Sequence, residues 1–307
     1  MVPPPQASAP VICYNRLPSL PWCFMNELIW LNGEVLPMSE ARIGVEDRGY
    51  QFADGVYEVI RLYDGRPFTL REHLDRLERS AAGVSIKLAT NASQLKSEIE
   101  RFLPRAGIKD GMVYLQVTRG CAPRNHVFPE QCKPTVLFYV RPLPPVPPAG
   151  TADGLKLLSV PDERWSRCWI KSIALLPNVL AKNEAVGKGA DEAVFVQDGM
   201  VSECSASNFF AVANGKVLTH PVGPKVLPGI TRMVLLELAK GLDVPVVERQ
   251  ISEAEALAAD EVFITSTTRE IGWVREWNGR TIGSGTCGPV TLKLHKALQD
   301  RVRRDTL

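Results

Sequence analysis

The 307-residue chain has no apolar run long enough to cross a bilayer, which argues against a helical membrane span. It has almost no net charge, +2, so neither a basic field for nucleic acid nor an acidic tail for a charged partner is expected. Its seven cysteines (Cys13, Cys23, Cys121, Cys132, Cys168, Cys204, Cys287) include no C-x-x-C pair and no metal-ligand spacing. They read as reduced, partly buried thiols of a cytoplasmic protein. The four histidines (His73, His126, His220, His295) are scattered, so no metal site is expected. There is no internal repeat, no G-x-G-x-x-G dinucleotide fingerprint and no Walker A loop. What is left is an ordinary soluble composition and a length that suits two domains with cores of their own.

Residues 1–24 are proline-rich, carry one basic residue, Arg16, and lack the charged and apolar regions of a secretory signal. They are expected to be a disordered extension. From there Leu28–Pro37 predicts a hairpin about Asn32-Gly33, and Val56–Leu70 predicts a second about Asp64-Gly65. Leu74, Leu77 and Ala81 share one face of a helix over about 72–82, and Leu95, Ile99 and Phe102 one face of a helix over about 92–105. Strands are expected at Met112–Thr118 and Thr135–Val140, making residues 25–141 an α+β domain. Residues 142–150 hold Pro-Leu-Pro-Pro-Val-Pro-Pro, an extended, stiff stretch expected to link the domains. In 151–307 we expect a strand at Leu155–Val160, a helix at about 178–188, and hairpins at Asp198-Gly199 and Asn214-Gly215. A helix opening at Gly229-Ile230-Thr231, strands near 244–248 and 261–265, and a closing helix over about 290–302 complete the half.

The most informative stretch begins at Glu203-Cys-Ser-Ala-Ser-Asn208-Phe-Phe and ends at Leu227-Pro-Gly-Ile-Thr231-Arg232. It sets one carboxylate in a small polar turn and then opens a helix, whose free N–H groups and positive dipole end suit an anion. Thr265-Ser266-Thr267-Thr268, after an apolar strand, offers hydroxyls and turn amides to the same anion. A carboxylate facing a pyridine nitrogen keeps it protonated, and a protonated ring is an electron sink, so carboxylate plus phosphate cradle is what a pyridoxal phosphate site needs. Such a site also needs a lysine. Lys171 lies in an apolar segment, where desolvation makes an amine a usable nucleophile and base, whereas Lys182 and Lys188 fall on a polar helical pattern. Arg76, four residues after Glu72, reads locally as a solvent-facing helix residue. Arg124 and His126 sit on an irregular loop; the residues alone leave open whether that loop clamps a carboxylate or is simply basic and exposed.

Together these motifs resemble the class IV, fold-type IV pyridoxal-phosphate aminotransferases, from about residue 26 to the C-terminus. The D-amino-acid branch is matched by three further blocks: Glu46-Asp-Arg-Gly-Tyr-Gln-Phe-Ala-Asp-Gly-Val-Tyr57-Glu-Val, the loop Val-Thr-Arg-Gly-x-x-Pro-Arg124-x-His126-x-Phe-Pro, and Arg164-Trp-x-Arg-Cys-x-Ile-Lys171-Ser. The resemblance implies a two-domain fold, mixed α+β and α/β, with a smaller N-terminal α+β domain and a larger β-rich pseudobarrel domain with helices. It implies that Lys171 bonds the cofactor and shuttles the proton, that Glu203 pairs with the ring nitrogen, and that Leu227 packs on the ring face. Arg76, Ile230, Thr231, Ser266 and Thr267 would hold the phosphate. Tyr57, Arg124 and His126, with Tyr114 nearby, would trap the substrate carboxylate. The Arg124 loop would come from a second copy, implying a homodimer. Cys204 and Ala206 stand where glycine and serine are common in that branch.

The activity implied is ping-pong transamination of D-amino acids such as D-alanine with a 2-oxo acid, through pyridoxamine phosphate. A branched-chain L-amino-acid aminotransferase would not need Arg124 and His126. An (R)-amine transaminase is a neighbouring reading, since a mobile arginine loop can admit substrates without a carboxylate. A 4-amino-4-deoxychorismate lyase shares the cofactor site but not the clamp. A catalytically silent cofactor-binding protein is disfavoured by the intact lysine, glutamate and phosphate clusters.

Overall fold

Local turn chemistry lays down much of the architecture. The computed structural model describes residues 27–306, so the expected extension 1–24 lies outside the described residues. Strands β1 (Leu28–Leu31) and β2 (Glu34–Pro37) flank Asn32-Gly33, and β3 (Gly55–Tyr63) and β4 (Arg66–Pro67) flank Asp64-Gly65. At both turns the two central residues have positive φ, the backbone that matches the twist of a two-residue hairpin. Between the hairpins lies the short helix α1 (Arg48–Phe52), and after them come α2 (Leu70–Gly83), α3 (Ala92–Ala106), β5 (Gly111–Thr118) and β6 (Thr135–Pro142).

The six strands form one antiparallel sheet in the order β2-β1-β6-β5-β3-β4. The helical spacing of Leu74, Leu77, Ala81, Leu95, Ile99 and Phe102 is realised as expected: all six are buried against this sheet. Asn91 starts α3 with a capping box closed by Gln94, and Gly107 ends it in a left-handed conformation. Phe138 is fully buried at the centre, stacked on Trp30 at 4.9 Å and edge-on to Phe102 at 5.2 Å between ring centroids.

The chain then runs without regular structure from 143 to 154. Arg61 Nη2 donates to Pro144 O (2.7 Å), and Gln299 Nε2 to Pro147 O (2.9 Å), so side chains from both halves hold this segment. Beyond it lie β7 (Leu155–Pro161), α4 (Leu176–Gly187), β8 (Glu192–Gln197), β9 (Met200–Cys204), β10 (Asn208–Ala213) and β11 (Lys216–Thr219). There follow α5 (Ile230–Gly241), β12 (Val246–Glu248), β13 (Ile251–Ser252), α6 (Glu253–Leu257), β14 (Glu261–Ser266), β15 (Glu270–Trp277), β16 (Arg280–Thr281) and α7 (Pro289–Thr306).

These strands make a ten-stranded mixed sheet, ordered β12-β11-β10-β14-β15-β7-β8-β9-β13 with β16 on β15. It curls as a half-barrel around a core that includes the fully buried Trp277 and Phe209. Helices α5 and α7 cover its other face at Phe210, Phe263 and Leu294. One difference from the expected boundaries has a plain cause. The strand expected from 244 starts at Val246, because Pro245 has no N–H to give a ladder and only its carbonyl is used, by Val217 N (2.9 Å). An Asn278-Gly279 hairpin, not singled out in the sequence, joins β15 to β16.

Because Phe138 is enclosed by two aromatic rings, Phe138→Ala should cost about 3–5 kcal/mol of stability through lost burial and a residual cavity. Denaturant unfolding followed by circular dichroism would measure it; an unchanged midpoint would mean that this cluster is not the centre of the first core.

Candidate active site

The two sheets meet at a cavity of about 640 Å³. Its walls come from β3, α2, residues 163–178, the 203–208 turn, residues 227–231 and the turn after β14. Nine of the twelve residues expected to hold cofactor or substrate line it: Tyr57, Arg76, Lys171, Glu203, Leu227, Ile230, Thr231, Ser266 and Thr267.

Lys171 is placed by backbone pairing between the halves. Tyr57 N donates to Lys171 O (3.0 Å), Ile173 N donates to Gly55 O (3.1 Å), and Lys171 N donates to Ser80 Oγ (3.1 Å). The side chain lies over Tyr57, with Nζ 4.2 Å from the ring centroid, a cation–π geometry. Lys182 and Lys188 do not line the cavity; they pair with Glu192 (3.3 Å) and Glu184 (2.7 Å) on and beside α4.

Glu203 is buried at the end of β9. Arg164 Nη1 donates to its Oε1 (2.5 Å); Asn208 Nδ2 and Leu227 N each donate to its Oε2 (3.0 Å). Burial pushes its carboxyl up from the usual 4.5 to about 7, against the pull of Arg164 and the Leu227 N–H. Arg164 is itself held by Asp162, through Nε and Nη2 at 2.9 Å each. Asn208 also donates to Leu227 O (2.9 Å), and a Cβ at Gly229 would collide with Asn208 Oδ1. Only glycine therefore lets the turn before α5 close down on this amide.

At the opposite end, α5 begins without a side-chain cap, which leaves its first N–H groups free. Ser266 and Thr267 approach from the β14–β15 turn, and the Thr265 hydroxyl beside them is buried without a partner. Arg76 corrects its local reading as a solvent-facing residue paired within its own helix. It is buried, and its partner is Glu58 on β3, gripped by Nε (2.8 Å) and Nη2 (2.7 Å), while Nη1 donates to Pro228 O (3.0 Å). Burial would raise the Glu58 carboxyl, but Arg76 and His73 outweigh it and hold it down at about 2. Free N–H groups, hydroxyls and a guanidinium suit a phosphate, the buried carboxylate suits a protonated ring nitrogen, and the amine lines the same cavity.

The carboxylate trap expected from Tyr57, Tyr114, Arg124 and His126 is not assembled in the cavity of a single chain. Tyr57 lines it, and Tyr114 stands behind, its ring 5.9 Å from Tyr57 and its hydroxyl on Gln116 (2.8 Å). Arg124 and His126 are exposed on the 119–134 loop about Phe52, at 4.7 and 5.4 Å from its ring centroid, and outside the cavity lining. Arg164, Asp162, Asn208 and Glu58 carry roles not assigned from the sequence. Arg164, Asn208 and Glu58 lie inside the matched blocks, so their positions were visible, but the role of Glu58 shows itself only as an acid on a strand otherwise rich in apolar residues.

Residues 55–277 match the Amino-transferase class IV family. The chain belongs to that family. This class IV aminotransferase is 42% identical to D-alanine aminotransferase of Bacillus licheniformis, over 91% of this chain and 98% of that protein. It is 39% identical to D-alanine aminotransferase of Staphylococcus haemolyticus, over 87% and 95% of the two chains. Among solved structures it is similar to the branched-chain aminotransferase of the thermophilic archaeon Thermoproteus uzoniensis with norvaline, at TM-score 0.80 and 27% identity, covering 91% and 95%. The Escherichia coli branched-chain enzyme gives TM-score 0.82 at 27% identity, covering 89% and 94%. A further branched-chain amino acid aminotransferase, solved with pyridoxamine 5'-phosphate, gives TM-score 0.84 at 28% identity, covering 90% and 94%. The fold-type IV architecture expected from the motifs is therefore the one this chain has.

The buried Glu203 carries a pH signature. Its folded-state value lies above the unfolded one, so its contribution to stability is full below about 4.5 and is lost as pH rises to about 7. In ligand-free protein, the stability difference between wild type and Glu203→Gln should drift over that window and level off above it. A difference that stays flat from pH 4.5 to 7 in denaturant titrations would show the carboxyl ionised throughout.

Proposed function

We propose that this chain transfers the amino group of D-amino acids such as D-alanine to 2-oxo acids with pyridoxal 5'-phosphate, as a homodimer in the cytoplasm. The observation that carries the proposal is the convergence of Lys171, Glu203 and an uncapped helix start on one cavity, in a chain about 40% identical to D-alanine aminotransferases over most of its length. Pyridoxal phosphate fits this cavity: the unpartnered Thr265 hydroxyl and open α5 terminus suit its phosphate, and the buried Glu203 suits its ring nitrogen. When bound, the cofactor supplies an electrophilic carbon for an amine and an electron sink for the charge left by the α-proton.

The protein's own groups divide the remaining work. Lys171 Nζ, above the Tyr57 ring, is the base that would take the proton from the α-carbon of the amino donor in one half-reaction and supply one to the α-carbon of the new amino acid in the other. Glu203, fixed by Arg164, Asn208 and Leu227 N–H, would hold the ring nitrogen in its charged form, and Leu227, which lines the cavity, would pack on the ring. Ile230 and Thr231 N–H, Ser266, Thr267 and Arg76 would hold the phosphate. The substrate's α-hydrogen must point at Lys171, so the side on which its carboxylate is clamped selects the enantiomer.

That clamp is Tyr57, backed by Tyr114, with Arg124 and His126 supplied by a second copy. Support for the second copy comes from the placement of Arg124 and His126 outside their own cavity. It comes also from large apolar residues left exposed beside them, Tyr50 (82%), Val127 (71%) and Phe128 (53%), and on α4, Leu176 (67%) and Leu180 (60%). Among the described residues no helix is long and apolar enough to cross a membrane, and Cys121, Cys132, Cys168, Cys204 and Cys287 are free thiols. The branched-chain L-amino-acid reading is favoured by the solved structures, but at 27–28% identity it is outweighed by the D-alanine relatives.

Purified protein loaded with pyridoxal phosphate should be yellow and bleach with D-alanine but not with L-leucine. Bleaching by L-leucine alone would move the assignment to the branched-chain enzymes. Lys171→Ala should lower turnover by at least about 10²-fold and lose the absorbance of the bound aldehyde; normal colour and activity would place the amine elsewhere.

A further inference from the structure

The turn that brings Ser266 and Thr267 to the cavity has an unusual exit. Ser266 on β14 pairs with Glu270 on β15 across a three-residue loop, and Glu270 has φ +61°. A left-handed residue is what glycine supplies most easily. A glutamate there needs a compensating use of its side chain. It has one: the side chain is buried, Tyr63 OH donates to Oε1 (2.7 Å), and His295 Nε2 lies 3.3 Å from Oε2. Tyr63 ends β3 in the first sheet, and His295 is on α7. Two residues before Tyr63, Arg61 Nη1 donates to Thr268 O (3.3 Å) in the same turn, with its guanidinium 5.4 Å from the Tyr63 ring centroid.

We propose that Glu270 is a positioning residue for the phosphate end of the cavity, its carboxylate tying the Ser266–Thr267 turn to Tyr63 of the first sheet and to His295 of α7. The inference rests on the pyridoxal phosphate assignment above. Its physical content is that the turn is not held by its own hairpin alone. The left-handed exit and the buried carboxylate together fix how far Ser266 and Thr267 reach toward the anion at the start of α5. Anion binding gains from such preorganisation, because hydroxyls and N–H groups that already point at the ligand need no ordering when it arrives. A glutamate that served only to join the two halves would affect unfolding without singling out the phosphate.

Apo-enzyme is titrated with pyridoxal 5'-phosphate and, separately, with pyridoxal, and colour development gives the two affinities. Wild type should prefer the phosphorylated aldehyde strongly. Glu270→Gly suits the backbone and deletes the tether, and should weaken pyridoxal phosphate by about tenfold while leaving pyridoxal unchanged. Glu270→Gln, which can still accept from Tyr63, should restore most of the preference. Tyr63→Phe keeps the ring and should shift the ratio in the same direction as Glu270→Gly, so it carries the test if the glycine variant does not fold. A wild-type ratio retained in both Glu270→Gly and Tyr63→Phe, or equal weakening of both aldehydes, would overturn the role of Glu270. A wild type indifferent to the phosphate would instead remove the cradle itself, and this inference with it.

Discussion

Everything at the cavity depends on a short seam of backbone hydrogen bonds, in which Gly55 and Tyr57 of β3 pair with Ile173 and Lys171 of the second half. A strand edge of the first sheet is completed by a segment that belongs to the second. The amine that shares the cavity with a buried carboxylate and an uncapped helix start is thereby delivered on backbone fixed from both sides. Positioning on a paired segment is more exact than positioning on a free loop, since the φ and ψ of Lys171 are set by ladder geometry rather than by packing of the side chain alone. The same seam brings Ile170 into the first hydrophobic core, so the lysine segment is anchored by apolar burial as well as by hydrogen bonds.

Around that seam the charges are buried in matched sets. Glu58 is answered by Arg76, and Glu203 by Arg164, which Asp162 answers in turn. Buried ion pairs contribute little net stability, because the cost of removing both charges from water consumes most of the Coulombic gain. What they contribute here is direction. A guanidinium held by two carboxylate oxygens cannot swing, so Arg76 presents its remaining edge to Pro228 and the start of α5. Arg164, fixed by Asp162, presents one nitrogen to Glu203. At both ends of the cavity a second charged residue, which lines no part of the anion or ring site itself, decides where the first can point.

The sequence made some of this legible and hid the rest for physical reasons. The faces of α2 and α3 were readable because apolar side chains repeat at helical spacing, and the hairpins because Asn-Gly and Asp-Gly suit left-handed turn geometry. Lys171 stood out from Lys182 and Lys188 because its neighbours are apolar, and it alone of the three lines the cavity. Arg76 misled for the opposite reason. Its nearest acid along the helix, Glu72, is visible at i−4, while its actual partner, Glu58, is brought to it by sheet packing. Glu270 was invisible as an anchor, since nothing in its neighbours announces a left-handed residue. Arg124 and His126 were recognisable as residue types on a loop, but no local pattern encodes whether a loop serves the cavity of its own chain or that of another.

The 119–134 loop is nonetheless prepared within a single chain. Asp47 accepts from Thr118 (2.9 Å) and Thr135 (2.7 Å) at its base, and Asp54 joins Arg48 (2.9 Å) to Arg119 (2.7 Å). The guanidinium of Arg119 lies 3.7 Å from the centroid of Phe128, and that of Arg124 4.7 Å from Phe52. These cation–π and ion-pair contacts fix the loop within one chain. A surface already ordered loses less conformational entropy on association than one that folds as it docks. Val127 and Phe128 stay exposed on this well-braced loop, so their apolar area is available at low entropic cost, as the proposed docking on a second copy requires.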